Sequence, residues 1–243
     1  MLTRRASLKL IAASPVVLGG ATAHAAAPAS ALSREIPGLV MADPYSPGYL
    51  HELVHEAASR LGRTVQVSIV PWARAMKLAA LRQADLIFPV PLELARREGL
   101  TPLVRLLDLD HVFVTAGRSV NGIEEARGLD LVAVSAGSDG EAELRAAGLG
   151  NLEPSDGRTA ALKLAGGRVR AWYTSLPEAL WTWRAERLHG LAALVPGRTV
   201  RTEPLYLAGC RPDAGEPDGW SRALEALAAD GTVAALKDRY NLV

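Results

Sequence analysis

The 243-residue chain contains one cysteine, Cys210. No intrachain disulfide can form, and a metal site built from several thiolates is excluded. No cysteine lies near the N-terminus to carry a lipid anchor. Excess charge of one sign is missing too, since 27 Lys and Arg face 26 Asp and Glu. Three of the cations, Arg4, Arg5 and Lys9, fall in the first 25 residues, which hold no acid, so the remainder is slightly acidic. A chain this balanced lacks the basic footprint that holds nucleic acid. What is present is ordinary for a folded protein, with 49% apolar and 22% charged residues. The length suffices for one large or two small domains with real cores.

Residues 1–25 read as an address. Thr3 to Lys9 is charged, Leu10 to Ala23 is apolar, and Ala23-His24-Ala25 is a small-x-small cleavage site. These are the three parts of a secretory signal. The paired arginines with Leu8 and Lys9 resemble a twin-arginine signal, although Ser7 stands where an aromatic residue is preferred. The general secretory route is the alternative. Pro15, Gly19 and Gly20 leave the run weakly apolar against the ~20 residues that a membrane span needs. The expectation is therefore export to the periplasm, with no stable membrane insertion after cleavage.

After the signal, Ala26 to Arg34 is small and polar and reads as a flexible start. Leu39 to Ala42 is a strand candidate that ends in the turn Asp43-Pro44-Tyr45-Ser46-Pro47-Gly48. Leu50, Leu53, Val54, Ala57, Ala58 and Leu61 recur at helical spacing, and Gly62 closes that helix. Val65 to Val70 alternates as a strand, Pro71 opens a second helix, and Asp85 to Val90 is the next strand. Glu93 to Glu98 reads as a short polar helix or turn, and His111 to Ala116 as a strand. Further on lie a helix from about Pro177 to Leu188, a strand at Leu205 to Ala208, and helices at Trp220 to Ala228 and Thr232 to Tyr240. Strands and helices alternate, which predicts an α/β fold with largely parallel sheets.

Leu131 to Tyr173 is the most telling stretch. Leu131 to Val134 is a short apolar run of the kind buried on both faces of a parallel sheet. Ser135-Ala136-Gly137-Ser138-Asp139 follows, and a helical pattern begins at once. Small residues and hydroxyls at such a turn let helix-start N–H groups face a negative ligand. After Gly166-Gly167, Val169 to Tyr173 reads as another strand. Two similar α/β halves are legible, with junctions near Gly117–Ser119 and Arg198–Glu203. Their arrangement predicts two crossings and a ligand cleft between the halves.

In this order the pieces resemble the polar-amino-acid type of bacterial extracellular solute-binding protein, from about Gly38 to the C-terminus. Gly48 to Gly62 resembles its first helix. Pro71-Trp72-Ala73-Arg74-Ala75 resembles the start of its second, and Ala84-Asp85-Leu86-Ile87 the strand that follows. Ala95-Arg96-Arg97-Glu98 resembles the segment whose arginine grips the ligand. Gly122 to Ser138, Gly167-Arg168-Val169-Arg170-Ala171, and Ala228 to Thr232 with Tyr240 resemble its later motifs. The resemblance implies a two-lobed, hinged fold behind the signal peptide 1–25. Lobe one would comprise residues 26–117 and the return 201–243, and lobe two residues 118–200. It also implies a monomer that takes no cofactor, binds a small molecule and presents it to the membrane permease of an importer.

Carried over, the resemblance makes Arg97, with Arg96 as alternative, the anion grip of lobe one. A guanidinium suits a carboxylate because its planar fork donates two parallel hydrogen bonds. Gly137, Ser138 and Asp139 would be the counterpart in lobe two, with Tyr45 and Trp72 as aromatic walls. Two departures bear on the ligand. Arg170 occupies a position where amino-acid receptors carry an acid, and the later acid position falls at Thr174 or Ser175. An ammonium needs acceptors to replace its hydration shell. The expected ligand is therefore a small polar, anionic molecule without an ordinary α-ammonium.

His51-Glu52-Leu53-Val54-His55 spells the helical zinc-protease motif. No third ligand follows at usable spacing, and the apolar face Leu50, Leu53, Val54 and Ala57 leaves both histidines at its edge. No metal and no catalytic residue is expected. The alternatives are a dehydratase-like enzyme on the same fold, for which Asp43, Asp139 or Glu141 could act, a ligand sensor for a signalling receptor, and the zinc hydrolase.

Overall fold

A computed structural model describes residues 27–211, 216–240 and 242. The expected export signal lies outside the described residues. The sheet among them has eight strands in the order β2-β1-β3-β8-β4-β7-β5-β6. One parallel group is β1 (Ala29–Ser33), β2 (Val65–Ile69) and β3 (Leu86–Pro91). The other is β5 (Val132–Ser135), β6 (Leu152–Ser155) and β7 (Ala171–Ser175). Between them runs an antiparallel ribbon of two fifteen-residue strands, β4 (Thr101–Thr115) and β8 (Val195–Gly209).

The ribbon belongs to both halves, and its side chains change core partway along. Leu103, Leu106, Leu109, Leu205 and Leu207 pack with Leu50, Leu53, Trp220, Leu227 and Leu236. These last come from α1 (Tyr49–Arg60), α8 (Pro217–Ala229) and α9 (Thr232–Tyr240), so the C-terminal helices close the first core. Three residues beyond Leu109 the partners switch. Val112 and Val114 pack with α6 (Gly157–Ala165) and α7 (Leu176–Ala185), while Phe113 joins Leu144 of α5 (Asp139–Ala146). Register shifts on either side of Val112 bend the ribbon at this changeover.

Three expectations are corrected. Ala26 to Arg34 contains strand β1, which lies between β2 and β3, with Ala31, Leu32 and Ser33 buried. It is held by its partners: the Ser30 N–H and hydroxyl both donate to Asp85 Oδ2, at 2.8 and 2.7 Å. Leu39 to Ala42 is a turn instead, joined to the fold by an isolated bridge between Ile36 and Val40. The strands expected at His111 to Ala116 and Leu205 to Ala208 are each one end of a much longer ribbon strand. Strand β6 carries Pro154 and sits at the sheet edge, where a missing ladder donor is tolerated.

Candidate functional site

Parallel strands present their carboxyl ends to one side of a sheet, and ligands bind there. In this chain the ends of β1, β5 and β7 converge with the bend of the ribbon on a cleft of about 300 Å³. Arg34, Glu35, Ile36 and Pro37 form the wall after β1. Leu109, His111, Arg201 and Glu203 of the ribbon form the floor. Ser135 and Ser138 to Gly140, at the start of α5, form part of the far wall. Tyr173 to Ser175, with Glu178 from the first turn of α7, complete it.

Arg34 is the exceptional cation. Its guanidinium lies 5.5 Å from the centroid of the Trp72 ring, at the start of α2 (Trp72–Ala80). It forms no close ion pair among the described residues. The side chain stays open to solvent, yet it stands in a concavity crowded by protein atoms. That desolvation lowers its pKa, against the opposing fields of Glu178, Glu203 and Asp139.

Glu178 faces the same space. Its Oε2 accepts the Thr174 hydroxyl at 2.7 Å. A Cβ at Gly157 would lie 2.5 Å from Oε1, so any larger residue at the start of α6 would displace the carboxyl from this position. Burial raises the pKa of Glu178, outweighing the Thr174 hydrogen bond and the charges of Arg34 and His111.

Arg201, by contrast, arrives paired with carboxylates, although its buried Nε makes no hydrogen bond. Its Nη1 donates to Glu203 Oε1 at 2.9 Å, and Nε pairs with Glu143 Oε2 at 3.0 Å. Its Nη2 lies 3.1 Å from His111 Nε2. Burial pulls its pKa down, but the carboxylates of Glu203 and Glu143 more than offset this, so the net shift is upward. His111, whose Nε2 lies 3.8 Å from Glu203 Oε2, together with Arg201 holds Glu203 below the usual carboxylate range despite burial. Tyr173 donates to Glu143 Oε2 at 3.1 Å, and burial with that carboxylate pushes its pKa up.

Of the residues expected at the site, Ser138, Asp139 and Ser175 line the cleft. Ser138 caps α5, its Oγ accepting the Glu141 N–H at 3.1 Å, and the Gly137 N–H donates to Glu141 Oε2 at 2.7 Å. Both groups are therefore engaged within their own turn. Trp72 is half-buried beneath Arg34 rather than on the cleft wall. Arg96 and Arg97 end α3 (Leu92–Arg97), exposed and paired with Glu93 at 2.8 Å and Glu98 at 3.4 Å. Tyr45 is 96% exposed, and Arg170 pairs with Asp130 at the opposite end of β7 from the cleft.

The His51 and His55 rings stack with centroids 5.0 Å apart. Arg239 and the Tyr240 hydroxyl occupy the Glu52 carboxylate, which removes it as a base for water. Among the described residues no group of three or more His, Cys, Asp or Glu side chains is placed to hold a metal. Cys210 is buried, and that burial pushes its pKa up to about 12.

Arg34, Glu178 and the Arg201 cluster escaped the sequence reading. A strand assigned at 29–33 would have put Arg34 at a carboxyl strand end. Pro177 followed by an acid marks the first turn of a helix three residues past Ser175. The loss of an acid after residues 167–171 was the ground for expecting a ligand without an ammonium. Glu178 and Asp139 put carboxylates in the cleft, so that ground falls.

No protein-family model and no curated protein sequence matches the chain. Solved structures do. A histidine kinase sensor domain described as similar to periplasmic binding proteins aligns with TM-score 0.67 and 21% identity, over 88% of this chain and 96% of that one. The GluR0 ligand-binding core from Nostoc punctiforme, in complex with L-glutamate, aligns with TM-score 0.69 and 18% identity, over 88% and 99%. The ancestral amino acid-binding protein AncCDT-1, a precursor of cyclohexadienyl dehydratase, aligns with TM-score 0.65 and 18% identity, over 87% and 94%. Among the described residues no helix is long and apolar enough to cross a membrane. Two parallel strand groups joined by a bent ribbon, with a cleft at the bend, make this the two-lobed α/β fold of the periplasmic binding proteins.

Proposed function

We propose that the chain is an exported solute-binding protein that captures a small polar ligand between its lobes and presents it to a membrane permease. On this reading the hinge is the segment where the ribbon changes core, between Leu109 and Val112 on β4 and at the facing Arg201–Glu203 on β8. Ligand enters the open cleft, contacts from both lobes favour the closed form, and the partner senses closure.

The observation that carries this reading is Arg34, a cation in the cleft with no close carboxylate among the described residues. An anionic group on the ligand would take both arms of its fork and relieve the desolvation. The cleft also holds Glu35, Asp139, Glu178 and Glu203, against Arg34 and Arg201. A ligand with an anionic group for Arg34 and a basic group for Asp139 or Glu178 fits that lining. Thermal-shift and calorimetric titration with amino acids and small carboxylates tests the reading. At a hundred times its dissociation constant a ligand adds about 2.7 kcal/mol of stability. The stabilisation should disappear in Arg34→Ala. A ligand that stabilises both proteins equally would overturn the assignment of Arg34.

The raised pKa of Glu178 favours one second reading, a lyase in which its protonated carboxyl acts as general acid. Conversion of a bound ligand, abolished in Glu178→Gln, separates catalysis from capture.

A further inference from the structure

We infer that Trp181 is a latch that holds the two lobes closed before any ligand binds. The inference rests on the two-lobed closing motion proposed above but not on the identity of the ligand. Helix α7 belongs to lobe two, where Ala179 and Trp183 are buried in the core. At about 100° per residue, position 181 lies on the helix face opposite both. That face turns to lobe one, and Trp181 packs against the first-lobe core.

The socket is built to receive it. Gly38, in the turn after β1, has φ of +78°, a conformation that L side chains rarely adopt. A Cβ there would lie 3.1 Å from Trp181 Cβ and 3.4 Å from its Cγ, so the indole uses the space that glycine leaves. The Tyr240 ring, at the end of α9, forms the other side, with centroids 6.0 Å apart and planes tilted by 41°. Tyr240 is itself fixed. Its hydroxyl donates to Glu52 and accepts the Gly48 N–H at 3.1 Å.

None of Gly38, Trp181 and Tyr240 lines the ligand cleft. Their contact therefore stabilises the closed arrangement without touching ligand. When only one conformation is fully competent, apparent affinity scales with its population, and a latch raises both together.

The test is the interlobe distance in ligand-free protein, read by pulsed electron resonance from nitroxides at Lys77→Cys and Arg168→Cys in a Cys210→Ala background. Lys77 and Arg168 are exposed, one on each lobe. The protein with Trp181 should show mainly one short distance. Trp181→Ala should move most of the population to a longer distance, and Trp181→Phe should lie between. For any ligand found by the calorimetric screen, affinity should fall about fivefold in Trp181→Ala, the scale of one aromatic pair. Trp181→Leu and Trp181→Phe, which keep apolar bulk, carry the test if truncation unfolds the chain. The latch is refuted if the distance distribution ignores all three substitutions, or if the unsubstituted protein is already open. A failed ligand screen leaves this result standing. Arg34-dependent binding with an unchanged distance distribution removes the latch alone.

Discussion

Arg34 and Arg201 line the same cleft, one from the end of β1 and the other from the bend of the ribbon. Arg201 meets Glu143, Glu203 and His111 within 3.1 Å. Arg34 meets an indole face, with acids near enough to be felt but not to pair. A guanidinium set between two carboxylates has its charge matched by the fold. One that stands over an indole without a close ion pair is available to something else. The contrast separates a structural cation from a binding one, although a composition count of the cleft would treat them alike.

The sharpest way to break this contrast is to truncate each arginine and read both binding and stability. Arg34→Ala should weaken ligand binding by about two orders of magnitude, the scale of removing one partner from a desolvated charge pair. Arg34→Lys should recover only part of that, because an ammonium cannot reproduce the fork. Arg201→Ala should act on the fold. It strands Glu143 and Glu203, whose side chains are 29% and 20% exposed. Breaking a fully buried pair costs 3–5 kcal/mol, and partial exposure reduces this to about 2 kcal/mol in urea unfolding. If the two variants exchange these phenotypes, the distinction is wrong.

Glu178 sharpens the comparison through pH. Its folded pKa is raised by burial, so the native state holds a proton that the unfolded chain has released. The resulting stability is fully present below the ordinary carboxylate range and is lost as pH rises through the raised value. Glu178→Gln removes this ionisation, and the variant should gain stability relative to the parent across that window. Urea midpoints from about pH 4 to pH 8 read the difference, since an ordinary glutamate titrates near 4.3. A parallel pair of curves would mean that Arg34 already neutralises Glu178 in the folded protein.

The two walls of the cleft differed in how far the sequence revealed them. The β5–α5 turn is legible because Val132-Ala133-Val134 is strongly strand-like and Ser138 is a good helix cap. Its cap hydrogen bond is present. Strand β1 is Ala-Ser-Ala-Leu-Ser, with no β-branched or aromatic residue, and its conformation comes from β2, β3 and the Asp85 carboxylate. That is a tertiary effect, invisible to local pattern. Missing the strand also hid Arg34 at its end. The ribbon was half-read for the same reason. Pro102, Asp108 and Asp110 on β4, and Pro196 and Gly197 on β8, are poor strand formers that the antiparallel partner holds extended.

Ser138 tests whether the legible wall behaves like Arg201 or like Arg34. Its hydroxyl is committed to the Glu141 N–H, so Ser138→Ala should cost about 1 kcal/mol of stability, the usual price of a lost helix cap. A loss of ligand affinity without that cost would show that the hydroxyl serves the ligand instead.

Arg97 provides the smallest expected effect and the control for the whole comparison. It resembles the family's gripping arginine in sequence, yet it closes α3 at the surface, 74% exposed, with Glu98 at 3.4 Å. An exposed pair of this kind is worth less than about 1 kcal/mol, because water screens it and ordering two long side chains opposes it. Arg97→Ala should therefore change unfolding by less than about 0.5 kcal/mol. It should also leave the calorimetric affinity of any ligand that depends on Arg34 unchanged. Loss of binding in Arg97→Ala, with Arg34→Ala unaffected, would mean that lobe one grips its ligand from the end of α3 rather than from the end of β1.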